Sequence, residues 1–424
     1  MTATAAVVVR AAAAGLRKAR VSADPIEDFY TRHPYPPPVD NLDRARDEWR
    51  DPDRHRAEYH LLWSGKPYHS KLDILVAGCG TWQAAKYALS HPDADVVGID
   101  VSATSIAYTD KLKQQYRLSN LDVRQLPIEQ VPTLERQFDL IVSTGVVHHL
   151  ADPDAGLRAL GHALKPGGAL HLMVYAPYGR TGIYMLQEYC RRLGLGTSEQ
   201  EISDLISTLE NLPQQHPLVN VLRGSRDARD ADALADALLN PRDRSYSVPQ
   251  LFDFIERSGL TFGRWYWQAP YLPQCGAVAA TPHAARLAAL APRAQYAAME
   301  LWRGTMTAHT VVVHRTDARE SVSEVCFDDE RWLGFVPVRL PWTQLIQERL
   351  PPGAAGVLLN RSHQFHDLFF AIDHHDKRVF DEIDGHRTVA EICARTSAID
   401  PARVRAFFQK LWWYDQVVFD ASRT

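Results

Sequence analysis

Closely spaced glycines and one carboxylate are the residues of this chain best suited to hold a nucleotide-like ligand. The segment 72–81, LDILVAGCGT, ends an apolar run on Gly78-Cys79-Gly80, where the missing side chains let a ligand approach the backbone. Asp100 ends the next apolar run, DVVGID, about twenty residues further on, where a βαβ fold presents a carboxylate to ribose hydroxyls. The alternatives are a plain tight turn at the glycines and a helix N-cap at Asp100.

A pair of adjacent histidines offers acid–base chemistry. His148 and His149 follow the apolar segment 138–142, FDLIV, at the end of a predicted strand. Ligands of α/β folds bind at the carboxyl ends of the strands, so either imidazole is a candidate general base for an acceptor that arrives protonated. The alternative is a structural role in helix capping or hydrogen bonding.

Alternating strands and helices are needed to bring these residues together. Short apolar runs predict strands at 74–77, 95–100, 121–126, 138–142 and 169–175. Helical spacing predicts helices at 82–90, 102–116 and 157–164, the last one ending at the breaker Lys165-Pro166-Gly167-Gly168. The alternation predicts βαβ units, and hence an α/β fold with a parallel sheet.

Composition restricts the class of protein. The chain has 424 residues, enough for two or three domains, with 46% hydrophobic and 23% charged residues and a formal net charge of -4. Neither nucleic-acid nor membrane attraction is indicated, and no apolar run is long enough to span a bilayer. Five scattered cysteines without a C-x-x-C pair fit free thiols in a reducing cytoplasm and argue against a zinc site. The segment 1–20 is predicted to be an amphipathic helix or a loose tail.

The ordered motifs resemble those of bacterial-type class I S-adenosylmethionine-dependent methyltransferases. The resemblance covers roughly residues 70–175 and is carried by AGCGTW, GID, FDLIVSTGVVHHL and LKPGGAL, in that order. A nicotinamide-binding fingerprint would instead need a third glycine at the position of Gln83. The family implies a Rossmann-like seven-stranded sheet whose last strand is antiparallel, and the segments 248–259, 261–267 and 309–314 fit its final helix and strands.

The resemblance implies S-adenosylmethionine as the cofactor and assigns residues to its parts. The implied contacts are Gly78, Cys79 and Gly80 beside the methionine part, Asp100 at the ribose, Val101, Leu126 and Pro127 around the adenine, and Ser143, Thr144 and Gly145 near the sulfonium. Two residues depart from the family pattern. Val76 stands where the family usually has an acid that anchors the loop or the cofactor's ammonium, and Trp82 stands where it often has a glycine.

Aromatic residues and one arginine are candidates for the acceptor side. Tyr175, Tyr178 and Arg180 follow the fifth strand, and Arg180 either pairs with an acceptor carboxylate or sits in solvent. Tyr30 and Tyr35 lie in the segment 26–43, whose prolines exclude a regular helix at 33–38 and impose an extended path on which we expect both tyrosines to lie. The segment is expected to act as a lid or as a packing arm. Either tyrosine could face the sulfonium through a cation–π contact.

The sequence predicts four parts: a helical and Pro/Tyr arm at 1–70, a methyltransferase domain at 71–316, a linker at 317–330 and a small α+β domain at 331–424. A helical insertion at about 177–247 is expected to cap the acceptor pocket or to form an oligomerisation face, as in a homodimer. The last part resembles winged-helix domains of the PqqD kind and regulatory domains appended to bacterial methyltransferases. Its acidic residues argue against nucleic-acid binding, and its histidines, His363, His366, His374 and His375, lack metal-ligand spacing, so no metal is expected.

The predicted reaction is in-line methyl transfer to a small-molecule acceptor, in which positioning supplies most of the catalysis. A second hypothesis is a peptide or protein acceptor recruited by the C-terminal domain. A third is a scaffold with a degenerate site, prompted by Val76 and Trp82.

Overall fold

The computed structural model describes residues 24–224, 230–317, 325–396 and 400–423. The predicted helix or tail at 1–20 and residues 318–324 of the predicted linker lie outside the described residues. No helix in the described ranges is both long enough and apolar enough to cross a membrane.

Strands and helices alternate mainly within residues 73–175, whereas several helices or several strands follow one another elsewhere. The strands are β1 (Asp73–Ala77), β2 (Asp95–Asp100), β3 (Leu121–Gln125), β4 (Phe138–Thr144), β5 (Leu164–Tyr175), β6 (Leu260–Trp265), β7 (Ala308–Arg315), β8 (Val336–Arg339), β9 (Thr343–Ile346), β10 (Gly356–Asn360), β11 (Phe369–Ile372) and β12 (Val417–Asp420). The helices are α1 (Pro25–Arg32), α2 (Asp43–Glu48), α3 (Pro52–Leu62), α4 (Gln83–Ser90), α5 (Ala103–Tyr116), α6 (Pro153–Ala163), α7 (Thr181–Leu193), α8 (Glu199–Leu209), α9 (Pro217–Gly224), α10 (Ala231–Leu239), α11 (Val248–Arg257), α12 (Ala284–Ala288), α13 (Pro292–Arg303), α14 (His374–Asp381), α15 (Val389–Arg395) and α16 (Pro401–Trp413).

The main sheet has seven strands in the order β3-β2-β1-β4-β5-β7-β6. Strand β7 runs antiparallel to both of its neighbours, whereas the pairs among β1 to β5 are parallel. The predicted Rossmann-like seven-stranded sheet with an antiparallel last strand is confirmed. The carboxyl ends of β1, β2 and β4 therefore meet at one edge, where a ligand site is expected.

Both faces of this sheet are buried because the side chains alternate. Leu75 of β1 packs in the cluster that includes Leu157 of α6 and Ile255 of α11. Its neighbour Val76 packs in the opposite cluster, with Leu61 of α3. Helices on both sides explain why the central strands read as continuous apolar runs rather than as alternating ones.

Strand β5 begins earlier than predicted. Its pairing with β4 jumps from Phe138↔Leu164 to Leu140↔Ala169, so that the Lys-Pro-Gly-Gly segment is an irregularity at the start of the strand. The extra residues on one strand are accommodated as a bulge, which a proline and two glycines tolerate well. Helix α6 correspondingly ends at Ala163.

From Asp24 to the start of β1, the arm consists of three helices and an irregular proline-rich segment. Tyr30 lies in helix α1 and not on the extended path predicted for it, because the helix starts at Pro25 behind the N-cap Asp24. The prolines stop regular structure only after Arg32. Ser102 Oγ donates to the Tyr30 carbonyl at 2.9 Å, which fixes the arm to the start of α5.

The insertion between β5 and α11 contains helices α7 to α10. Ile183, Leu186, Leu205 and Leu234 form a small apolar core of their own. Its return segment joins the main sheet through a parallel bridge between Tyr175 and Ser245.

The C-terminal residues form two small antiparallel sheets, β9-β10-β11 and β8-β12, with helices α14 to α16. The predicted α+β character is confirmed, whereas the winged-helix and PqqD-like assignments stay predictions. Helix α15 begins at the predicted Thr388 cap, whose hydroxyl accepts from the Glu391 amide in a capping box.

This C-terminal unit is packed into the rest of the molecule. Val338 and Val418 belong to the same apolar cluster as Leu61 and Val76. The buried carboxylate of Asp415 accepts from the backbone amides of Gln268 and Ala269 at 3.2 and 2.9 Å. The unit therefore shares a core with the main sheet.

Candidate functional site

One large cavity, of about 1840 Å³, opens at the carboxyl edge of the main sheet. Its lining includes Gly78, Asp100 and Gly145 from three strand ends, Tyr30 from the arm and Asp236 from the insertion. The volume exceeds the roughly 300–1,000 Å³ usual for small-ligand pockets. Two molecules, a cofactor and an acceptor, can therefore share it.

The glycine turn after β1 presents bare backbone to this cavity. Gly78 has φ +76, and a Cβ there would lie 2.3 Å from the side chain of Val146. The Gly78 and Cys79 amides both donate to the Ile99 carbonyl, at 2.9 and 2.8 Å. The turn is thus held in a left-handed conformation that only glycine adopts easily.

Val76 is a buried strand residue at the position where the family usually has an acid, so other groups must anchor the same turn. Asp100 Oδ2 accepts from the Gly80 amide at 2.9 Å, and Thr109 Oγ1 donates to the Gly80 carbonyl at 3.0 Å. These two contacts supply the loop anchor that the family's acid was expected to provide.

Asp100 is held at the end of β2 by backbone donors. Its Oδ1 accepts from the Ser102 amide at 2.9 Å, and the carboxylate lines the cavity. The N-cap of α5 is Ser102, whose hydroxyl accepts from the Ser105 amide at 3.2 Å, so the helix-cap role considered for Asp100 belongs to Ser102. Burial raises the pKa of this carboxyl, against the opposing effect of the backbone hydrogen bonds. Each carboxylate oxygen has a second lone pair, which leaves acceptor capacity for ligand hydroxyls.

An apolar patch continues the wall from Asp100. Val101, Leu126, Pro127 and Ile128 all line the cavity. The Leu126 amide donates to the Asp100 carbonyl at 2.9 Å, which fixes the loop after β3 against the end of β2. This patch can cover a flat aromatic ring.

The end of β4 contributes Thr144 and Gly145, whereas Ser143 is fully buried and does not line the cavity. Alternation along the strand explains the difference, because successive side chains point to opposite faces. A Cβ on Gly145 would meet only the Met173 methyl, at 3.5 Å.

The central residues of the glycine turn also lie away from the cavity lining. The Cys79 side chain is buried in the core, and burial raises the pKa of its thiol well above the usual value. Gly80 is covered by the arm, since a Cβ there would lie 2.6 Å from Pro36 Cδ and 2.9 Å from the Tyr35 carbonyl oxygen. Of the predicted glycine-turn residues, Gly78 is the one in the lining.

The arm is both a packing element and a wall of the cavity. Tyr30 and Tyr35 line it, and the Thr81 hydroxyl donates to the Pro36 carbonyl at 2.7 Å. Tyr30 Oη donates to Asp236 Oδ1 at 2.7 Å, which ties the arm to the insertion. This bond and the packing of the half-buried ring orient Tyr30 toward the insertion.

Tyr175, Tyr178 and Arg180 line the opposite side. Arg180 does not sit in solvent: it is 6% exposed, and its guanidinium lies 3.5 Å from the centre of the Tyr175 ring. Its Nη2 donates to Asp243 Oδ2 at 3.0 Å. The expected alternative of a solvent-exposed arginine is therefore wrong, whereas a contact with an acceptor carboxylate stays a prediction.

The histidine pair occupies two different positions. His149 lines the cavity, whereas His148 is fully buried behind it, with ring centres 4.2 Å apart. Burial lowers the pKa of His148 well below its usual value, and the nearby His149 and Arg180 act in the same direction. His148 is therefore uncharged at neutral pH.

Several lining residues were missed by sequence reasoning. Trp82 is the N-cap position of α4 and lines the cavity beside Gln83, whose Nε2 donates to Thr144 Oγ1 at 2.9 Å. Their position directly after the glycine turn was a usable signal. No local pattern marks Asp236 or the C-terminal loop 364–366, which reach the cavity only through tertiary packing.

Comparison with known proteins places a methyltransferase domain in this region. Residues 75–170 match the family model described as a methyltransferase domain. An uncharacterised protein of Synechococcus sp. is 34% identical over 248 residues, which cover 56% of this chain and 58% of that protein. The ubiquinone biosynthesis O-methyltransferase of Acinetobacter baumannii is 30% identical over 96 residues, or 22% of this chain and 40% of that enzyme. The chain thus spans less than two thirds of the length of these relatives.

Solved structures agree with the fold over most of the chain. PKMT2 from Rickettsia typhi superposes with a TM-score of 0.58 at 15% identity, covering 88% of this chain and 75% of that one. The same protein in complex with AdoHcy gives a TM-score of 0.59 at 14% identity, covering 88% and 76%. The likeness extends well beyond the matched domain, which shows that the fold is shared.

Proposed function

We propose that this chain is an S-adenosylmethionine-dependent methyltransferase that methylates a small organic acceptor by in-line displacement. The observation that carries the proposal is the continuous cavity that joins Gly78 and Asp100 to the aromatic wall of Tyr30 and Tyr175. One end offers groups suited to a nucleoside, and the other offers groups suited to an organic acceptor.

The donor end fits the chemistry of this cofactor. Gly78 brings backbone without a side chain to the cavity wall, and Asp100 has lone pairs for ribose hydroxyls. Val101, Leu126 and Pro127 offer an apolar surface for the adenine. The match of residues 75–170 to a methyltransferase domain and the AdoHcy complex of a protein with this fold support the assignment.

When bound, the cofactor supplies a methyl group on a positively charged sulfur. The task of the protein is to position the donor and the acceptor, because alignment of the reactants can lower the activation barrier by roughly 7–11 kcal/mol. Tyr30 is suited to this task, since its hydroxyl donates to Asp236 and its ring lines the cavity. Tyr35 and Trp82 add aromatic surface that favours a cation.

A peptide acceptor is the second candidate, favoured by the C-terminal loop. Gln364, Phe365 and His366 line the cavity, and its volume leaves room for an extended chain. A peptide that reaches this loop would contact the C-terminal unit, as expected for recruitment by that unit.

Calorimetry with S-adenosylmethionine tests the cofactor, and incubation with metabolite fractions and peptide pools, read as a mass increase of one methyl group, tests the acceptor. We expect donor binding and methylation of a small molecule. No donor binding would overturn the proposal and leave the scaffold hypothesis.

The two acceptor classes are separated by substitutions in the C-terminal loop. Gln364→Ala with His366→Ala should raise the KM for a peptide at least tenfold and leave a small acceptor held near Tyr175 unaffected. Point variants are preferable to deleting 331–424, because Val338 and Val418 belong to the shared core.

A further inference from the structure

Three side chains converge behind the acceptor wall of the cavity. His148, His149 and Asp243 each offer a ligand atom, and these atoms lie within 4.8 Å of one another. The histidines come from the turn after β4. Asp243 comes from the return segment of the insertion, which is fixed to the end of β5 by the bond from the Tyr246 amide to the Tyr175 carbonyl at 2.9 Å.

Each side chain of this cluster has a buried polar atom without a partner. Both ring nitrogens of His148, Nε2 of His149 and Oδ1 of Asp243 are buried without a hydrogen-bond partner. A buried polar atom left unpaired costs about 1–3 kcal/mol. Each of the three side chains has at least one such atom, and one atom of each lies within 4.8 Å of the others, which indicates a group that binds all three side chains.

The opposite atoms of the same side chains are fixed by the protein. His149 Nδ1 lies 2.5 Å from the Arg242 carbonyl oxygen, so it carries the proton and leaves the Nε2 lone pair free. Asp243 Oδ2 accepts from Arg180 Nη2 at 3.0 Å and from Gln187 Nε2 at 2.7 Å, which leaves Oδ1 free. Outer hydrogen bonds of this kind orient histidine and carboxylate ligands in metal sites.

We propose that His148, His149 and Asp243 bind a divalent transition-metal ion at the wall of the cavity. Two imidazoles and one carboxylate suit zinc or ferrous iron, whereas magnesium and calcium prefer oxygen ligands. The expectation of a metal-free protein rested on its cysteines and its C-terminal histidines, and this site uses neither.

Three protein ligands leave open coordination positions, as in catalytic sites. His149 and Arg180 also line the cavity, so the ion lies at its edge. There the ion would bind the acceptor through a hydroxyl or thiol and lower the pKa of that group. The proton passes to solvent, the bond from sulfur to methyl breaks, and the methyl joins the acceptor oxygen or sulfur. This role rests on the proposed function, and metal binding itself does not.

Cobalt titration of the metal-free full chain tests the site. Co²⁺ should bind once per chain, give visible d–d absorption and be displaced by Zn²⁺. Asp243→Asn and, separately, His149→Ala should each weaken Co²⁺ binding by about tenfold to a hundredfold. His162→Ala, at an exposed histidine of α6, is the matched control and should bind like the wild type.

No one-to-one Co²⁺ binding, or equal binding by wild type and both ligand variants, would overturn the site and leave buried water as the occupant. Asp243→Asn also removes the negative charge that pairs with Arg180. If Asp243→Asn fails to fold for this reason, His149→Ala still tests the site. Donor calorimetry on the same samples separates the proposals, because a chain that binds Co²⁺ but no S-adenosylmethionine retains the site and loses the proposed function.

Discussion

At the scale of single residues, Asp100 holds the backbone around the donor end of the cavity. Its carboxylate accepts from the Gly80 amide of the glycine turn and from the amide of Ser102, the N-cap residue of α5. The same group lines the cavity. A ligand hydroxyl would therefore meet a carboxylate that is already oriented.

Asp100→Asn should weaken S-adenosylmethionine binding by about 10- to 150-fold, the equivalent of the 1.5–3 kcal/mol of a hydrogen bond to a charged group. Calorimetry measures the change. Asp95→Asn, at the exposed start of the same strand, is the control and should bind like the wild type. Unchanged affinity in Asp100→Asn would exclude the carboxylate from donor binding.

Glu58 of α3 makes stability depend on pH. Its Oε2 is buried without a partner, and burial raises the pKa of its carboxyl from 4.5 to about 7, against the opposing effect of Lys86 and Arg54. Between these values the folded state holds a proton that the unfolded state has lost. The free energy of unfolding must therefore fall as pH rises through this window.

Glu58→Gln should remove this dependence and stabilise the protein at pH 8 by about 1–3 kcal/mol relative to wild type. Urea unfolding at pH 5 and pH 8 measures the difference. The exposed Glu348 gives the control variant Glu348→Gln, which should follow the wild type. A parallel pH dependence of Glu58→Gln and wild type would contradict the assignment.

At the scale of elements, the glycine turn and the arm depend on each other. Tyr35 and Pro36 lie directly over Gly80, whose φ is +54, so a side chain there meets both strain and a steric clash. Gly194, at the end of α7, has φ +66 and nothing within 4 Å of a Cβ. A comparison of substitutions at the two glycines therefore separates the effect of backbone strain from the effect of the steric clash.

Gly194→Ala should lower the free energy of unfolding by about 1 kcal/mol, because alanine is strained in the left-handed conformation. Gly80→Ala should lower it by about 1–2 kcal/mol more, because the new methyl group also clashes with the arm. Displacing the arm should also expose the proline-rich segment to protease. Urea unfolding and limited proteolysis measure the two effects. Equal losses of stability in the two variants would mean that contact with the arm adds nothing to the cost of a side chain at Gly80.

The strands and turns of the main sheet were predictable because their signals are local. Buried strands are apolar, and the glycine turn is marked by residue type. Tyr30 was misplaced because the prolines act only after Arg32. The positions of Cys79 and Ser143 in the core and of Asp236 in the cavity wall depend on packing between distant segments, which no local pattern encodes.

At the scale of the molecule, Asp415 joins the C-terminal unit to the main domain. It is fully buried, accepts from two backbone amides and lies 3.0 Å from His363 Nε2 and 3.6 Å from Arg264 Nη2. Removing a buried charge leaves its partners unpaired. The two units should therefore unfold together.

Asp415→Ala should lower the free energy of unfolding by about 3–5 kcal/mol, and the whole chain should still unfold in one transition. Circular dichroism and tryptophan fluorescence in urea give both results. Asp381→Asn, at an exposed residue of α14, should change stability little. Separate transitions would show that the C-terminal unit is independent.

The wall of the cavity comes from parts of the chain that are far apart in sequence, among them Tyr30, Gly78, Asp236 and Phe365. A compound that touches several of them at once bridges the arm, the sheet, the insertion and the C-terminal unit. Such a compound binds only the folded chain, so it must raise the melting temperature. A compound library scored by melting temperature can thus reveal the class of acceptor before any product is seen.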